Sequence, residues 1–170
     1  MTHSNNSTNS TNTLEFKAYR DMDKKDGIDH IRIDKHAITL LGKQLIPSYT
    51  RTFYHPVYGS FASIQSAIEW YKLEKDDFDV RLMTGVKLDE YVKEQIESGK
   101  NTVKTTEVPD YVIKEFITYS LLSKPDLFSM AVENKLPYCC YHVGNDGYAK
   151  VNYIQYTRIL GKVIDELRGK

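Results

Sequence analysis

Cysteine is almost absent: the 170 residues hold two, Cys139 and Cys140, and they are neighbours. A disulfide between adjacent cysteines is strained, so no framework of crosslinks is expected. Charge of one sign is equally lacking, since 23 Lys+Arg face 23 Asp+Glu. Broad electrostatic binding of nucleic acid draws on surplus Lys and Arg, so the balance excludes an extended nucleic-acid surface and leaves only local contact in a pocket. No apolar run approaches the roughly 18 residues of a membrane span. The first residues also lack the basic-then-apolar order of a signal peptide. These absences together lead to the expectation of a cytoplasmic protein that does not enter membranes. There is no phosphate-binding glycine loop, no four-ligand zinc set and no Gly-x-Ser-x-Gly elbow. No cofactor and no metal are therefore expected.

What is present suits one domain. Hydrophobic residues make up 41% and charged residues 27%, enough for a single buried core. Residues 1–13 are nearly all Ser, Thr and Asn, with nothing apolar whose burial could offset the entropy of ordering them. They read as a disordered tail, and residues 14–170 as the domain. Asn5, Asn6 and Asn9 begin glycosylation sequons, which a tract of this composition produces by chance.

Leu14–Tyr19 and Ile28–Ile33 alternate on either side of Asp26-Gly27 and read as a strand pair. Asp21–Gly27 resembles the opening of a calcium loop, but Lys25 and Arg32 stand at ligand positions and the glycine comes one residue late. Ile64, Ala67, Ile68 and Tyr71 make the i, i+3, i+4, i+7 stripe of a helix over Ser63–Leu73. Leu88, Tyr91, Val92 and Ile96 repeat it, ending at Gly99. Pro109 opens a helix with Ile113, Phe116, Ile117 and Leu121 on its apolar face, and Pro125 opens another to about Val132. Leu136–Val143 reads as a strand, closed by the turn Gly144–Gly147. A last helix carries Tyr156, Leu160, Val163, Ile164 and Leu167, with Gly161 as a point of close packing. The fold class is α+β, mostly helical with a few short strands.

The chemistry-bearing residues are few. Cys140 and His142, at i and i+2, share a strand face and could converge, whereas buried inert cysteines are the commoner use. The chain is rich in tyrosine, with 13 Tyr beside 6 Phe and 1 Trp. Its Tyr-rich segments, Tyr49–Tyr58 and Tyr138–Tyr148, flank the Ser63–Leu73 helix. Tyr54 and Tyr141 either stack on a base or sugar in a pocket or sit half-buried on a rim with their hydroxyls in water.

Val57–Leu73 resembles the signature of the YbiA-like, or NADAR, family, in which a small loop leads into a helix reading roughly S-x-E-H-x-x-Q-x-x-K-F. Gly59, Phe61, Ser63, Lys72 and Leu73 fall in step with it. Val112–Ile117 followed by Pro125–Leu127 is similar to the family's long helix, polar break and Leu-rich helix. Leu160–Arg168 resembles its closing Leu-Gly helix ending in Glu-Leu-Arg. The resemblance runs in order from about Ser48 to Arg168.

That resemblance implies an N-glycosidase, acting on an ADP-ribose-type ligand or a ribosylated nucleobase. Such cleavage passes through a cationic sugar, which needs a carboxylate to steady it or to activate water. The family's Glu is Gln65 here, and Ser66 replaces the His. The later Trp-Gly keeps only Gly144, and Arg158 stands about where an Asn precedes Leu-Gly. The ligand-binding candidates are thus Gln65, Ser66, Gly144 and Arg158 from the resemblance, with Tyr54 and Tyr141 from the Tyr-rich segments. A neutral amide holds a ribose hydroxyl but cannot deprotonate water. Either another carboxylate works instead, with Glu69 one turn beyond Gln65 and Asp146 on the late turn as the catalytic candidates, or the chain is an inactive nucleotide-binding module. A scaffold used only for protein interaction is the reading from a different class.

Overall fold

Proline, glycine and Asp-rich segments cut this chain into short elements, which a computed structural model describes over residues 23–143, 149–151 and 154–169. In order they are β1 (Ile31–Arg32), α1 (Leu40–Gln44), β2 (Phe53–His55), β3 (Gly59–Phe61), α2 (Ile64–Lys72), α3 (Phe78–Leu82) and α4 (Gly85–Glu97). Then follow α5 (Asp110–Leu122), α6 (Pro125–Glu133), β4 (Tyr138–Cys139), β5 (Tyr141–Val143), β6 (Ala149–Val151) and α7 (Ile154–Arg168). The fold is mixed α+β and mostly helical, its described strands associating in pairs. The tail, the Leu14–Tyr19 strand and the Gly144–Gly147 turn lie outside the described residues.

The longer helices start and stop where their sequences direct. Ser63 caps α2, accepting from the Ser66 amide at 3.1 Å while Ser66 Oγ accepts from the Ser63 amide at 3.0 Å. This reciprocal capping box satisfies two amides that the helix leaves unbonded. Pro109 stands at the N-cap of α5 and Pro125 at the start of α6, where a missing N–H is harmless. Gly99, with φ of +69°, follows α4.

Of the expected Leu14–Tyr19 and Ile28–Ile33 pair, only the second member lies within the described residues. Asp26 Oδ1 accepts the Arg32 amide at 2.8 Å and Oδ2 the Ile38 amide at 2.6 Å, so the Asp26-Gly27 turn folds around its own carboxylate. β1 pairs in parallel with β4, Ile31 opposite Tyr138. The expected strand Leu136–Val143 breaks at Cys140, whose buried thiol donates to the Ile33 carbonyl at 3.1 Å. The chain changes partner there, and β5 runs antiparallel to β6. The Tyr-rich segment folds as the β2–β3 hairpin, with Phe53 opposite Phe61, and Gly59 turning it at φ of +84°.

The core centres on α5. Phe116, Ile117 and Leu121 are buried among Leu160, Val163 and Ile164 of α7, Ile64 and Ala67 of α2, and Phe53 and Phe61 of the hairpin. Burying each such side chain contributes about 1.5–3 kcal/mol, before conformational entropy is charged against it. A smaller cluster of Leu73, Val80, Leu88 and Val92 ties α3 and α4 to the end of α2. Gly161 is not a packing point, because a Cβ there would meet no atom within 4 Å. The packed face of α7 runs through Tyr156, Ile159, Leu160, Val163 and Ile164 instead. Among the described residues no helix is long and apolar enough to cross a membrane.

Candidate functional site

Helix α2 has two working faces. Ile64 and Ala67 point into the core, while Gln65, Ile68, Glu69 and Lys72, again at i, i+3, i+4 and i+7, line a cavity of about 880 Å³. The opposite wall is the Thr105–Asp110 segment with Ile113, and Pro47, Gln155 and Tyr156 complete it. A strap places that wall: the amides of Lys104 and Thr105 both donate to the Lys72 carbonyl, at 2.9 and 3.4 Å. The capping box therefore orients one side of the cavity, and the end of the same helix holds the other.

Gln65 is fixed at both ends of its amide. Its Nε2 donates to Asp89 Oδ1 at 2.8 Å, and its Oε1 accepts the Gly85 amide at 3.0 Å. Asp89 comes from α4 and also lines the cavity. Its second oxygen has no hydrogen bond or ion pair to any described residue. Glu69, with its side chain 23% exposed, pairs with Lys72 at 2.8 Å. Glu69 and Asp89 also border a second depression of about 390 Å³ with Val92 and Ile96, so these two carboxylates stand on a shared ridge.

Asp110 opens α5 at the cavity wall. It accepts from Gln155 Nε2 at 2.8 Å and from Arg158 at 2.6 Å. The Gln155 hydrogen bond, then the Arg158 and Lys162 charges, hold its carboxyl below the usual range. Tyr156 is buried, its hydroxyl donating to the Leu45 carbonyl at 2.7 Å. Burial pushes that phenol up to about 12, so it stays protonated well into alkaline solution, and its ring gives the cavity an aromatic wall.

The expected site residues divide in this geometry. Gln65 and Glu69 share the cavity. Ser66 is fully buried and occupied by the capping box. Tyr54 is 65% exposed on the hairpin and Tyr141 is buried, and neither lines the cavity. The Tyr141 hydroxyl lies 2.9 Å from His30 Nε2, and the Arg32 guanidinium sits over its ring at 4.8 Å. Arg158 reaches the site only through Asp110, and it lines a separate hollow of about 290 Å³ with Cys139, Cys140 and Tyr141. Gly144 and Asp146 lie outside the described residues, as does the His142 side chain. Burial pushes the Cys140 thiol up to about 12, which leaves it a poor nucleophile at neutral pH. Among the described residues no group of three or more His, Cys, Asp or Glu is arranged to hold a metal ion.

Sequence reasoning missed Asp89, Glu107, Asp110, Gln155 and Tyr156. Asp110 was visible as a helix-start acid after Pro109, and Tyr156 as a core position. Nothing in the sequence brings residues 89, 107 and 155 to one place, because that requires two helices and the strap between them to pack together. No protein-family model matches the chain, and neither a curated protein nor a solved structure matches it.

Proposed function

We propose that the chain is a divergent YbiA/NADAR-like protein that binds a ribosylated nucleobase or an ADP-ribose-type ligand in the cavity beside α2 and hydrolyses its N-glycosidic bond. The observation that carries this reading is the convergence of Gln65, Glu69 and Asp89 on one cavity, with Asp89 bonded to the amide that stands where the family has Glu. A cationic sugar needs negative charge close by, and its attacking water needs a base. Glu69, held by Lys72, supplies the charge. Asp89, with one oxygen anchored and the other open, accepts the proton of the water that attacks C1′. The C1′–N bond breaks with its electron pair leaving on the base nitrogen, which takes up a proton. The Tyr156 ring and the apolar side chains of Ile68, Val108 and Ile113 offer a wall for the base.

The neutral Gln65 amide favours a second reading, a module that keeps the pocket and has lost turnover. One assay series separates them: chromatography of free base after incubation with ribosylated bases, ADP-ribosylated guanine among them, beside thermal shift. Release that falls at least about 100-fold in Glu69→Gln supports hydrolysis. Stabilisation without release supports the binding module; a ligand at about 100 times its dissociation constant adds about 2.7 kcal/mol. Neither release nor stabilisation overturns both readings.

A further inference from the structure

We infer that the ligand of this cavity enters without a phosphate group, as an uncharged or cationic riboside; the inference rests on the riboside reading above and narrows its substrate class. The residues lining the cavity that are charged at neutral pH are Glu69, Lys72, Asp89, Glu107 and Asp110, four carboxylates against one ammonium. That ammonium is already engaged by Glu69 at 2.8 Å. Arg158 reaches the lining only by pairing with Asp110, to which Lys162 also contributes charge. Lys93, one turn from Asp89, is turned to Glu97 at 3.7 Å. Asp89 and Glu107 form no ion pair among the described residues.

Two helices begin at the cavity: the first turn of α5 carries Asp110, a carboxylate already placed against the positive end of the helix dipole, and the first turn of α7, which carries no acid, contributes Gln155 and Tyr156. An incoming phosphate would meet the carboxylates of Glu69, Asp89, Glu107 and Asp110 with Lys72 as the one lining cation, and like-charge juxtaposition is strongly unfavourable in a partly enclosed site. A riboside has the opposite fit. Its hydroxyls can donate to Glu69, Asp89 and Glu107, its base can lie on the Tyr156 and Ile113 wall, and a positively charged base or sugar gains from the surplus of carboxylates. The same surplus that repels phosphate stabilises the cationic sugar of bond cleavage.

Calorimetric titration of matched pairs tests this: guanosine against guanosine monophosphate, and cationic nicotinamide riboside against nicotinamide mononucleotide, with ADP-ribose as a further probe. The expected result is binding of each unphosphorylated member at least about tenfold tighter than its phosphorylated partner. The gap should narrow in Glu107→Gln and at raised salt, because it is Coulombic. A phosphorylated member or ADP-ribose binding as tightly as the bare riboside, or tighter, overturns the inference and leaves the riboside reading standing. Failure of every probe to bind removes the riboside reading, and this inference with it.

Discussion

Gln65 and Asp89, which come from different helices, are locked in one orientation: the Gln65 amide nitrogen donates to Asp89 Oδ1 at 2.8 Å while its oxygen accepts the Gly85 amide at 3.0 Å. Turning the amide over would set oxygen against carboxylate and NH₂ against N–H, losing both bonds and adding repulsion at each end. The neutral residue at position 65 therefore acts as a holder, presenting a carboxylate from α4 to the cavity.

Asp89→Asn should reduce base release by about 100- to 10,000-fold, the usual range for loss of a positioned base. Asp89 is exposed, so folding stability should move by no more than about 0.5 kcal/mol. Single-turnover rates and thermal melting on the same preparation check this. Unchanged release would remove Asp89 from the chemistry.

Gln65→Glu would place two carboxylates at hydrogen-bond distance, and the pair would then share one proton, with one apparent pKa raised. A carboxyl whose folded pKa is raised supports the fold below its unfolded value of about 4 and loses that support as pH rises through the folded value. The variant should match the wild type near pH 4 and be clearly less stable at pH 7, as read from urea midpoints. Equal stability at pH 7 would contradict the close pairing.

How much of this could be read from the text follows a physical division. Helices α2, α4, α5, α6 and α7 announce themselves by apolar periodicity and by Ser, Pro and Gly at their ends, which are local signals. Helices α1 and α3 have five residues each and are too short to display a period. The pairing of Ile31 with Tyr138 joins positions with no local link, and Asp26, which binds two backbone amides, looks in the sequence like an ordinary turn residue. At the site, Gln65 and Glu69 were legible together because helical spacing puts them on one face. Asp89 and Glu107 were not, since only the docking of α4 and of the Thr105–Asp110 strap against α2 makes them neighbours.

The glycines of two helices should respond to alanine with opposite signs. A Cβ on Gly42 would lie 2.0 Å from the Arg32 carbonyl oxygen, so α1 must move away from β1, and overpacking of this kind costs about 1–3 kcal/mol. A Cβ on Gly161 meets nothing within 4 Å, so Gly161→Ala should gain about 0.5–1 kcal/mol through helix propensity. Urea unfolding of both variants checks the pair. Stabilisation by Gly42→Ala would contradict the α1–β1 contact.

Tyr156→Phe keeps the aromatic wall of the cavity and removes the hydroxyl that serves the Leu45 carbonyl. At neutral pH the variant should be less stable by about 1 kcal/mol, leaving a buried acceptor without its donor. Alkaline solution should change that comparison. Burial raises the Tyr156 phenol from 10.0 to about 12, with the Arg51 guanidinium pulling the other way. Between those values the unfolded chain loses the proton and the folded one keeps it, so the wild type is destabilised by about 1.4 kcal/mol per pH unit while the variant is spared. The other tyrosines titrate alike in both proteins and cancel. The stability gap should therefore close above pH 10 and reverse near pH 11, whereas a gap independent of pH would mean that the Tyr156 phenol ionises as readily folded as unfolded.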